Sequence, residues 1–105
     1  MNIDLELREI LDEILDDSTK NENLDGLYLT WLYIKSEDEL TSFKDFVFGF
    51  INGSLLNAYS CYNGRKSSEI QGKERKFLNE LLFQRLYGLE YLIDKFNNKD
   101  NSVHG

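Results

Sequence analysis

Six carboxylates, Glu6, Glu9, Asp12, Glu13, Asp16 and Asp17, fall within twelve residues near the N-terminus, and Arg8 is the one cation among them. At the 3.6-residue helical period they share one face, and the chemistry such a face offers is electrostatic: it attracts positive charge and repels phosphate. An ordinary surface helix mixes signs at i and i+4, whereas these charges repel one another with little local relief. Asp16 and Asp17 also stand at the expected C-terminal end of the helix, where the dipole disfavours negative charge by about 0.3–1 kcal/mol each. The plain alternative is a solvated face that meets no partner.

Residue types suited to catalysis or metal binding are sparse. The single histidine, His104, falls in what reads as a mobile C-terminal tail, too loosely held for a preorganised base. With one histidine and one cysteine, Cys61, there is no zinc site of the usual nitrogen and sulfur kind, and the Glu-x-x-His pair of di-iron bundles is missing. No phosphate-binding loop, dinucleotide fingerprint, calcium loop or serine elbow occurs. The expectation is a protein without catalytic residues, metal or cofactor. Cys61 lies inside an apolar pattern and is expected as a small core residue.

Two further features carry charge. Arg85 projects onto the middle of an apolar stripe formed by Leu78, Leu81, Leu82, Leu89 and Leu92, where a buried guanidinium needs a partner. The expected solutions are an ion pair with an acid such as Asp45 or Glu39, escape of the head group to solvent, or a stripe that faces another subunit or a ligand carboxylate. Gly88, one turn on, would allow close packing there. The second feature is the basic cluster Arg65, Lys66, Lys73, Arg75 and Lys76, beside Tyr59, Tyr62 and Phe77. Basic residues among aromatics suit single-stranded nucleic acid, but Glu69 and Glu74 interrupt the cluster, so it equally suits the acidic helix of this chain or of a second copy.

The 105-residue length suits one domain with one core, and 41% hydrophobic and 13% aromatic residues are too apolar for a disordered chain. The net charge of −7 is unevenly divided: residues 1–48 hold 13 acids and 4 bases, net −9, and residues 49–105 hold 6 acids and 8 bases, net +2. That balance disfavours nucleic acid and anionic membranes and favours a basic partner. No apolar run reaches the ~20 residues of a membrane span, the N-terminus lacks a signal-peptide pattern, and a lone cysteine suits a reducing compartment, so the expected location is the cytoplasm.

These residues must be carried by helices, since the periodic signals are helical and proline is absent. The expected fold is an all-α bundle of about four helices over residues 1–98, with a flexible tail at 99–105. The first helix is predicted over residues 3–17, with Ile3, Leu7, Ile10, Leu11 and Ile14 inward. Residues 18–23, with Asp25 and Gly26, read as a loop. Residues 27–34 suit strand or helix; helix is chosen because no second strand is available to pair with them. Ser36 and Glu39 form a capping box from which a central helix runs to about Tyr62. Leu40, Phe43, Val47, Phe50, Ile51, Ser54, Ala58 and Cys61 share one side of it. Gly49 and Gly53 should each cost about 1 kcal/mol in that helix, which close approach of a neighbouring backbone would offset. Asn63-Gly64 ends it, Ser68 with Gln71 offers another capping box, and a last helix should carry Phe77 onward to about Asn97 and Asn98.

The function expected from these features is non-enzymatic: an acidic helical protein that occludes a basic protein surface, a nuclease being one example. Immunity proteins, antitoxins and DNA mimics use the same physics, an analogy of charge and size alone. The alternative is a homo-oligomeric regulator or adaptor, a homodimer in the simplest case, with the exposed aromatics and the Gly49 and Gly53 lane as its interface. Nucleic-acid binding through the cluster from Arg65 to Lys76 is the weakest of the three.

Overall fold

The computed structural model describes residues 4–35 and 42–104, with helical backbone alone for Lys35 and residues 99–104. The order is α1 (Leu5–Ser18), α2 (Asn21–Lys35), α3 (Phe43–Tyr62), a 3-10 turn (Ser67–Glu69), α4 (Lys73–Gln84) and α5 (Leu86–His104). Among the described residues there is no strand, so the all-α class holds, with five helices rather than about four.

α3 is the central helix. Phe43, Val47, Ile51, Leu55 and Tyr59 recur every four residues and are all buried, and α1, α2, α4 and α5 each pack against this helix. Its N-cap is Ser42, whose Oγ accepts the Asp45 amide at 3.1 Å; the box at Ser36 and Glu39 lies outside the described residues. The expected cap at Asn63-Gly64 is present. Gly64 has φ of 65°, and the amides of Gly64 and Arg65 donate to the carbonyls of Cys61 and Ser60, which closes a Schellman motif. Phe50 and Cys61, expected inward, are exposed, because the four-residue spacing of the buried ridge turns them away from it.

In α1 the buried set is Leu7, Leu11 and Leu15, with Ser18 behind them. The inward face is therefore rotated from the one predicted. Leu15 is fully buried, Ile10 and Ile14 are half-buried at the edge, and Ile3 lies outside the described residues. Asp4 caps the helix by accepting the Glu6 amide at 2.9 Å.

Residues 27–34 are helical, as chosen, but the loop expected before them shrinks to Thr19 and Lys20. The Leu24 amide donates to the Lys20 carbonyl at 2.9 Å, and Asn23 Nδ2 donates to the Asp17 carbonyl at 2.5 Å, which caps the end of α1. Leu24 is fully buried, so the polar residues around it, Asn21 to Asn23 with Asp25 and Gly26, are the wet side of the first two helical turns. Further along, Tyr28 and Trp31 meet Phe43 of α3, with ring centroids 5.3 and 5.6 Å from it, and Phe96 of α5 stands 5.9 Å from the same ring.

The single last helix expected from Phe77 is instead α4 and α5, broken at Arg85. The Arg85 amide donates to Leu82 at 3.1 Å in a tightened turn, and its carbonyl accepts from Leu89 at 3.0 Å to open α5. Breaking there lets Leu78 and Leu81 of α4 and Leu89, Ile93 and Phe96 of α5 face the core while the guanidinium leaves it. Backbone hydrogen bonds lost at a break cost less than a charge buried within the stripe. Leu92, expected inward, is 41% exposed. α5 runs on through His104, past Asn97 and Asn98. Before α4, the Lys66 amide donates to Glu69 Oε1 at 3.0 Å, so the box forms two residues earlier than the Ser68 and Gln71 pattern predicts.

Among the described residues no neighbouring backbone approaches Gly49, Gly53 or Gly88: a Cβ built on each meets nothing within 4 Å. Gly49→Ala and Gly53→Ala are accordingly expected to raise monomer stability in urea denaturation by about 0.5–1 kcal/mol each, against a cost of about 2–5 kcal/mol for Leu55→Ala. Destabilisation by either alanine in a dilute monomer would show that the lane is not open.

Candidate functional site

The break at Arg85 and the turn at Thr19 and Lys20 together divide the acidic face of α1. Arg85 Nη2 donates to Asp16 Oδ1 from across the bundle, and Arg8 Nε reaches Asp12 Oδ1 at 3.4 Å one turn away. Asp17 pairs with Lys20 at 2.8 Å. Asp12, Asp16 and Asp17 are thus neutralised within the chain, and Arg85, placed by periodicity in an apolar stripe with an acid such as Asp45 or Glu39 as partner, is instead at the surface and paired with Asp16. Glu9 and Glu13 are exposed and make no ion pair among the described residues. Glu6 lies near the end of α3, where hydrogen bonding to Asp4, burial, and the charges of Asp4 and Glu6 hold the Tyr62 phenol above its ordinary value. Lys20 is held above its ordinary value by its hydrogen bond to Asp17 and the charge of that carboxylate, with smaller contributions from Glu22 and Glu13.

On the side of α1 that carries Glu13 and Asp17, a groove of about 610 Å³ opens between α1, α2 and α3. Ile10, Ile14, Leu27 and Phe50 supply its apolar surface, and Glu13, Asp17 and Glu22 its charge. Its hydroxyls fold back on their own helices: Ser18, Thr30 and Ser54 each donate to the carbonyl four residues back, at 2.6, 3.1 and 2.9 Å, and the Asn23 amide completes the lining. Glu22 and Phe50 were missed as site residues. Glu22 sat in a supposed loop, and the signal that could have found it is Leu24, whose spacing to Leu27 and Trp31 extends the helix back past it.

A second groove of about 410 Å³ runs between α3 and the α4–α5 junction, lined by Phe48, Gly49, Leu82, Phe83 and Leu86. Phe83 of this groove is 69% exposed, and Tyr87 and Tyr91 of α5 are 82% and 65% exposed. Among the described residues, no three side chains of His, Cys, Asp or Glu converge as a metal site, and no helix is long and apolar enough to cross a membrane.

The basic cluster does not stand free. Arg65 grips Glu74 with both guanidinium arms, Nη1 at 3.0 Å from Oε1, and the Tyr59 hydroxyl donates to the same carboxylate at 2.6 Å. This triad joins the end of α3 to the start of α4, over the fully buried Ile70. Lys66, Lys73 and Lys76 remain exposed around it.

Set against protein-family models, curated proteins and solved structures, the chain matches none.

The triad has a pH signature. Hydrogen bonds from Arg65 and Tyr59 hold the Glu74 carboxyl below its ordinary value of 4.5. The stability it contributes is therefore present above that value and is lost as pH falls from it through the depressed folded value. Burial and the Glu74 hydrogen bond push the Tyr59 phenol above 10.0, so its contribution is complete below that pH and lost as pH rises through the folded value. Glu74→Gln should lower the urea midpoint at pH 7 and flatten the acid limb; an unchanged acid limb would show that the triad is not formed in solution.

Proposed function

We propose that the chain is a non-enzymatic binding protein whose acidic helix covers a positively charged surface of another protein, in the manner of immunity proteins, antitoxins and DNA mimics. The observation that carries this reading is that Glu9 and Glu13, on the exposed side of α1, make no ion pair among the described residues, and α2 adds the exposed Glu22 and Asp25. Asp12, Asp16 and Asp17, whose charge is met within the chain, contribute less than their number suggests, and the face narrows to the glutamates. In a chain of net charge −7 they speed encounter with a cation-rich surface and occupy the place phosphates would take.

A second reading, a homodimer, is favoured by the exposed Phe83, Tyr87 and Tyr91 and by the open lane at Gly49. Sedimentation equilibrium decides it, and a monomer throughout the micromolar range removes it. Nucleic-acid binding through the basic cluster loses Arg65 to Glu74 and keeps only the outlying cations.

The acidic reading is tested by capture from the native cell with the intact protein and with a Glu6→Lys, Glu9→Lys, Glu13→Lys triple variant. Partners retained at low salt and released as salt rises should be lost from the triple variant. Asp12→Asn with Asp16→Asn should change capture much less. Recovery of the same partners with the same salt sensitivity by the triple variant would reduce the face to solvated surface.

A further inference from the structure

We propose that the groove between α1, α2 and α3 receives the apolar face of a basic amphipathic helix from the partner protein. This inference rests on the acidic-binding reading above and adds the place and the form of contact.

The groove offers a partner apolar surface together with acidic charge. Phe50 is 47% exposed although it belongs to the central helix, and Ile10, Ile14 and Leu27 are only partly covered. The hydroxyl protons of Ser18, Thr30 and Ser54 are spent on their own helices, and Asn23 Nδ2 on the Asp17 carbonyl, so the lining offers acceptors and apolar surface rather than free donors. Every charged residue lining it is an acid: Glu13 and Asp17 on the α1 side and Glu22 on the α2 side. Lys20 answers Asp17 from beyond the end of the groove, and Glu13 and Glu22 make no ion pair among the described residues.

An apolar strip between acids on both walls is the complement of a helix that carries aliphatic residues at i, i+4 and i+7 with lysine or arginine beside them. The long basic side chains would lie along the walls and place their ends at the carboxylates. Gly26 leaves a gap in the α2 wall, where a Cβ would meet nothing within 4 Å and a partner can come close. About 610 Å³ would also admit a small molecule. The polar groups that remain in the lining are the carboxylates of Glu13, Asp17 and Glu22, with the Asn23 amide oxygen, a set that calls for several positive charges spread along the groove rather than one compact ligand.

The test uses the full chain and two labelled peptides of about 18 residues, five helical turns. Both have the same leucine and lysine content: in one the leucines form a stripe, in the other they are scattered. In fluorescence anisotropy at low salt the striped peptide should bind about tenfold or more tighter than the scattered one. Gly26→Leu puts a side chain into the groove at a helical position with open space, so it should weaken the striped peptide by about tenfold; Thr30→Phe is the second blocking variant. Gly49→Leu, the same change in the groove across α3, should leave binding unaltered, and circular dichroism checks that each variant is folded. Glu13→Gln with Glu22→Gln should weaken binding and flatten its salt dependence.

Equal affinity for the two peptides, with no effect of Gly26→Leu or Thr30→Phe, overturns the groove and leaves the acidic-face reading standing. Binding of the striped peptide that ignores the Glu13 and Glu22 changes overturns the charge complementarity. Failure of both peptides to bind at low salt removes the groove and the acidic face together.

Discussion

The bundle depends on one line of contact, the buried ridge Phe43, Val47, Ile51, Leu55 and Tyr59 of α3. Helices of 12 to 20 residues, as here, are marginal on their own in water, and their stability comes from the face they bury. Each of the other four helices finds that face on α3. This is how α2, whose aromatic and branched residues would suit a strand, becomes a helix: Leu24, Leu27, Tyr28 and Trp31 can reach the α3 side together only at helical spacing. Tertiary burial overrides a local preference that was close to balanced.

Electrostatics plays a different part. The ties between distant segments, Arg85 to Asp16 and Lys44 to Asp94, lie at the surface, where ion pairs contribute about 0–1 kcal/mol. They do little to hold the fold and much to decide which charges remain for another molecule. Arg8, Lys20 and Arg85 neutralise three of the aspartates of α1, and the glutamates are left. The acidic half of the chain thus keeps an electrostatic surface narrower than its composition implies, next to an apolar groove.

How much of this was legible in the sequence varied with the physics involved. The central helix, its Gly64 end and the all-helical class follow from periodicity and from the one residue type that readily takes a positive φ. The start of α2 did not, because a polar first turn and a loop have the same composition; the spacing of Leu24 to Leu27 and Trp31 was the one pointer, and the burial of Leu24 separates the two. The break at Arg85 was visible as a problem, a charge in an apolar stripe, without its solution, which depends on a carboxylate 69 positions earlier. Of the candidate site, the six acids were readable as a face. Which of them are paired was not, since the pairing of Asp16 and Asp17 is set by a helix break and a tight turn that periodicity cannot locate. Gly49 and Gly53 were read as marks of close packing, and the open space beside them is a property of the folded surface alone.

The aromatic joint of Tyr28, Trp31, Phe43 and Phe96 holds the chain's one tryptophan. Three helices meet at that ring cluster, and the indole is the only strong long-wavelength emitter the molecule has. Its fluorescence is therefore a built-in gauge of whether α2 and α5 are seated on α3, readable without a label at any stage of folding.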